Sequence, residues 1–127
     1  MRPKFRAYDS GSLSRMYQPD EVMVCDGRIW IQDEDSEGNE WIVNNDLNLM
    51  QSTGLFDKHN KEIFEGDILK SNKYITSVFY ERGAYCVKFC RTTNTTVTMN
   101  VISFIEKYKT KVIGNIYENK GILEGDK

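Results

Sequence analysis

A single histidine, His59, limits the chemistry this chain of 127 residues can perform. Nucleophilic catalysis needs a base held beside the nucleophile, and His59 stands in Asp57-Lys58-His59-Asn60-Lys61, residue types that favour an exposed turn. No Gly-x-Ser-x-Gly elbow, Walker-type loop or Rossmann glycine pattern occurs. The three cysteines, Cys25, Cys86 and Cys90, include no Cys-x-x-Cys, so a structural zinc lacks ligands. Cys86 and Cys90 alternate along a strand-like run, about 13 Å apart and beyond disulfide reach. Asp33 to Gly38 opens like an EF-hand loop, but the position that must supply a bidentate Glu is Asn44. Glu65 and Asp67 share one face of an extended chain, a pairing that means little without a pocket. These residues point to a non-catalytic protein with no metal and no cofactor.

Binding is the chemistry left, and two surfaces offer it. Residues 20–46 carry nine acids against Arg28 alone, and within them Asp33, Glu34, Asp35 and Glu37 form an acidic loop. Residues 47–127 carry twelve bases and nine acids. Tyr80, Lys88 and Arg91, with the alternating Lys107, Lys109 and Lys111, form a basic and aromatic face. A formal charge of −2 lacks the basic excess expected of a protein that wraps nucleic acid. The leading expectation is therefore a protein partner or self-association, through the acidic loop and unpaired strand edges. The alternative is nucleic-acid binding through the basic face. Most of the meander's aromatic residues are expected inside, as core.

The elements that would position these side chains are mainly strands. "PKFRAYD" alternates as a first strand, and Met16-Tyr17 begin a short second one. Asp26-Gly27 between apolar β-formers signals a hairpin, and "EWIVNN" re-enters structure after a polar turn. "LMQSTGLFDKHNKEIFEGDILK" reads as three strands joined by two turns, with Gly54, Asp57, Glu65, Gly66 and Asp67 as a structural corner. "KYITSVFYE", "AYCVKFC" and "TTVTMNV" follow as strands turned at Arg82-Gly83 and at "RTTN". "ISFIEKYKT" predicts one short helix with Ile102, Ile105 and Phe104 inward, and "KVIGNIYEN" a closing strand.

The expected fold is thus mainly β, with small antiparallel or mixed sheets and a partly closed SH3-like barrel in the C-terminal half. An N-terminal β portion of about residues 1–50 meets a connecting corner at 49–66 and a barrel-like portion at 67–119, with 120–127 as a flexible tail. No apolar run is long enough to cross a membrane, and no secretory signal is expected.

Three blocks carry a family resemblance: "KFRAYD", then "LMQSTGLFDKHNKEIFEGDILK", then "VIGNIYEN". In this order, from Lys4 to Asn119, they resemble the YopX family of phage and prophage proteins. The resemblance implies one small, mainly β domain over 1–119, encoded by a phage or prophage. Its setting would be the cytoplasm of a bacterial host. It implies no catalytic residues, because the family has no established biochemical activity.

Overall fold

The computed structural model describes residues 3–11, 13–33, 35, 37–38 and 40–124. The chain divides into two units, Met1–Ser52 and Thr53–Lys127, with the boundary inside one long strand.

In the first unit, β1 (Phe5–Asp9) lies between β2 (Arg15–Tyr17) and β6 (Asn48–Phe56). Its alternation aligns Ala7 with both Tyr17 and Leu49. After a 3-10 turn at Pro19–Glu21, β3 (Val22–Cys25), β4 (Arg28–Gln32) and β5 (Trp41–Val43) form a second antiparallel sheet. The β3–β4 hairpin closes at Asp26 (φ 53°) and Gly27 (φ 71°), the two successive left-handed residues that match strand twist. Ala7, Tyr17, Val22, Ile31 and Leu47 make this unit's core.

In the second unit, β7 (Glu62–Phe64) neighbours β6. A three-stranded sheet runs in the order β13 (Lys111–Asn115), β8 (Asp67–Lys70), β9 (Ile75–Ser77). Another runs β10 (Phe79–Glu81), β11 (Ala84–Thr92), β12 (Thr95–Asn100). Ile63, Leu69, Val78, Val87, Phe89, Val101 and Phe104 are its buried core. Tyr74 and Phe89 pack ring on ring with Phe104 and Tyr108 of the helical segment, so these two strand-region aromatics serve the core.

Several expectations change. "KYITSVFYE" is two strands, not one: Val78 interrupts it, taking Gly66 N–H on its carbonyl and donating to the Asp67 carbonyl, at 2.8 and 2.9 Å. The stretch thereby leaves β8 and goes on to pair with β11. The helix α1 (Val101–Lys107) buries Phe104 and packs Ile105 against the core as expected, with Val101 buried beside them, whereas Ile102 is half exposed at 50%. Its first turn follows directly from β12, so the i, i+3 pair facing the sheet starts at Val101. Lys120–Glu124 form a second short helix, α2, within the segment expected to be a tail; residues 125–127 lie outside the described residues. Every strand pairing with a defined register is antiparallel.

Two glycines hold the C-terminal unit's corners. Gly66 has φ 87°, its N–H bonds Val78 O and its carbonyl accepts Ile116 N–H. The turn before β8 is closed by the buried Asp67, whose Oδ2 accepts Phe64 N–H at 2.7 Å. Gly114 faces a different constraint: any Cβ there would meet the Asn119 side chain, with Cγ at 2.7 Å. That side chain is needed where it is, because Asn119 Oδ1 accepts Asn115 N–H at 3.1 Å. Gly66→Val is expected to destabilise the protein by about 1–3 kcal/mol, the usual strain of a non-glycine residue held at positive φ. A urea melt would show this as a lower midpoint at unchanged slope; an unchanged midpoint would contradict it.

Candidate functional site

Five lysines meet at one concavity of the second unit. Lys58, Lys70, Lys107, Lys109 and Lys111 line a hollow of about 500 Å³, together with Ser71, Asn72 and Tyr108. Among the described residues no carboxylate lines it, and none of the five lysines forms an ion pair.

β8, β13, α1, the β6–β7 turn and the α1–β13 link deliver these side chains, and local physics fixes their placement. Lys70 ends β8 and Lys111 begins β13, and the register sets the two directly opposite each other. Like charges across an antiparallel pair are destabilising, so this juxtaposition costs the free protein something. Lys107 closes α1 and lies over the Tyr108 ring, its Nζ 5.7 Å from the centroid. Lys58 comes from the β6–β7 turn, and its N–H donates to Thr110 O at 3.0 Å.

Asp57 ties that turn to the strand. Its Oδ1 accepts His59 N–H and Lys61 N–H, each at 2.8 Å, and its Oδ2 accepts Val112 N–H at 2.8 Å. One carboxylate therefore holds its own loop and reaches 55 residues along the chain to β13. Asp57 is 8% exposed. Burial alone would raise its pKa, but the hydrogen bonds from Val112, Lys61 and His59, with the nearby His59 charge, outweigh burial and hold it below its ordinary 3.8. A buried carboxylate that accepts three N–H bonds stays ionised, and here it does so next to the lysine cluster. Asn60, with φ 64°, supplies the left-handed residue of the same turn.

The residues singled out from sequence separate under this geometry. Lys107, Lys109 and Lys111 come together; Lys58 and Lys70 join them, which sequence reasoning missed because both lie far away in the chain. Tyr80 is 55% exposed and pairs across the ladder with Tyr85, 5.1 Å between ring centroids. Lys88, three residues beyond Tyr85 on β11, projects from the opposite face of the sheet. Arg91 is exposed where the β11–β12 register slips. Tyr80 and Lys88 therefore lie on opposite faces of that sheet, and none of Tyr80, Lys88 and Arg91 lines the lysine hollow.

In the acidic loop, Asp35 and Glu37 are exposed and Asp33 Oδ1 accepts Asp35 N–H at 3.0 Å; Glu34 lies outside the described residues. Of the corner residues, Gly54 has φ 77°, beside Thr53, whose hydroxyl donates to Ile63 O at 2.7 Å. Glu65 is half-buried and, after burial itself, is the chief influence that raises the phenol pKa of both Tyr85 and Tyr117. Among the described residues no group of three His, Cys, Asp or Glu side chains comes together as a cation site. No helix of the described residues is long and apolar enough to cross a membrane.

Comparison with known proteins places this chain. Its backbone is similar to the crystal structure of protein EF1440 from Enterococcus faecalis. The TM-score is 0.64 at 26% sequence identity, over 97% of this chain and 99% of that one. No curated protein matches it. The family described as YopX protein matches residues 4–124, a span that takes in all three resembling sequence blocks, and the chain belongs to that family.

Proposed function

We propose that this YopX family protein is a non-catalytic binding module that holds nucleic acid through the lysine hollow of its second unit. One observation carries the proposal: five lysines from separate strands, a helix and two connections converge on a single concavity that, among the described residues, no carboxylate lines. Two of them, Lys70 and Lys111, face each other across a β-ladder, a repulsion that a bound polyanion would relieve. The formal net charge of −2 hides this, because the acids are concentrated in residues 20–46. The expectation of a protein partner or of self-association through the acidic loop has no comparable convergence behind it. Asp33 is engaged in its own loop and its described neighbours are simply exposed.

An SH3-like barrel in the second unit is part of the proposal, supported by its run of short antiparallel strands with a short helix before the last one. The phage or prophage setting and the bacterial cytoplasm belong to it as well.

Fluorescence anisotropy with a labelled DNA duplex tests the function. Binding is expected at low salt, weakening linearly in log–log form with a slope of about −4 to −5 if all five lysines meet phosphates. Absence of binding at low salt, or a slope near zero, would remove the proposal.

A further inference from the structure

Resting on that function, we infer that the hollow takes the phosphodiester backbone of a double helix and does not read bases. The chemistry of the lining is that of a phosphate site. Lysine ammonium groups are compact, strongly hydrated point charges on flexible stems that meet phosphates without a fixed fork, and among the described residues no arginine lines the hollow. Ser71, which lines the hollow, is engaged in its own turn. Its Oγ accepts Lys73 N–H and Tyr74 N–H at 3.2 and 2.9 Å.

Single strands are usually held by aromatic rings on which unpaired bases stack. Among the described residues one aromatic, Tyr108, lines the hollow, and its ring is already committed. It packs against Phe104, Tyr74 and Phe89 at centroid distances of 5.1, 5.4 and 6.2 Å. The Lys107 ammonium lies over the ring as well, so a base could stack there only by displacing both charge and core contacts. Charge density then decides the ligand. A duplex presents a negative charge about every 1.7 Å of axis, a single strand about every 3.4 Å, so five clustered lysines neutralise more of a duplex.

Anisotropy on the full chain at one low salt concentration tests this. The probes are two DNA duplexes of equal length and unrelated sequence, an RNA duplex of that length, and one constituent DNA strand. The expected result is that the two DNA duplexes bind within about twofold of each other and the single strand about tenfold more weakly. A single strand that binds as tightly as the duplex overturns this inference and leaves the nucleic-acid function standing. A preference above about tenfold between DNA sequences, or for one of the RNA and DNA duplexes over the other, reveals base or groove reading and overturns it too. Failure of all four probes to bind overturns the function itself.

Discussion

Lys111→Glu is expected to weaken duplex DNA binding by about 30-fold while leaving the protein as stable as before or slightly more so. The two effects have one cause. Lys111 stands directly across from Lys70, so the substitution turns a repelling pair into an attracting one, a change of roughly 0.2–1 kcal/mol in favour of the fold. In the hollow the same substitution removes one phosphate contact and adds a like charge facing the ligand. A loss of about 2 kcal/mol corresponds to the 30-fold weakening. The salt slope should also flatten by about one unit, as expected when a single phosphate contact is lost. Thermal melts and anisotropy on the same preparation separate the terms. A variant that melts earlier and binds less would mean that Lys111 matters to the fold, and unchanged binding would mean that the hollow is not the site.

Asp57→Ala is expected to produce the largest loss of stability, about 3 kcal/mol at neutral pH. Hydrogen bonds to a charged group are worth roughly 1.5–3 kcal/mol each, and removal of a shared acceptor leaves its donors to find water. Three N–H groups depend on this carboxylate, from His59, Lys61 and Val112. The pH dependence has a definite sign. The folded state lowers the Asp57 pKa below its ordinary 3.8, so its contribution is fully present above that ordinary value. It is lost as the pH falls through the lowered folded-state value. The gap in melting temperature between wild type and variant should therefore be constant at neutral pH and close below about pH 4. A gap that widened on acidification would contradict the assignment. Because Asp57 holds the Lys58 turn against the Thr110–Val112 segment, this variant should also bind duplex DNA more weakly below its melting temperature.

The parts of this structure legible in sequence are those governed by local chemistry. Asp26-Gly27 and Arg82-Gly83 both adopt paired positive φ values, and residue type alone announces such turns. Asp57 closing its own loop on His59 and Lys61 is likewise a matter of neighbouring residues. What stayed hidden depends on pairing across the chain. Val78 breaks a run that alternates well as one strand because its N–H and carbonyl meet Asp67 and Gly66. Nothing adjacent to Val78 encodes that. Ile102 is as apolar as Val101, and which of them faces inward depends on the orientation in which β12 enters the helix.

The lysine hollow was half legible for the same reason. Lys107, Lys109 and Lys111 stand out as a run, but they become a site only when Lys70 and Lys58 join them. The first arrives through the β8–β13 register and the second through the Lys58–Thr110 hydrogen bond. Conversely, Tyr80 and Lys88 are near neighbours in sequence, yet the pleat of β11 points them apart. Residue composition could not reveal the site either, because unlike charges elsewhere in the chain bring the total close to neutral.

Chemical-shift mapping of backbone amides during titration with a short DNA duplex at low salt tests the central claim most directly. The predicted result is a contiguous set of shifts at Lys58, at Lys70 to Asn72 and at Lys107 to Lys111, with the amides of 20–46 unmoved. Shifts centred on the acidic residues 20–46, or none at the five lysines, would contradict it.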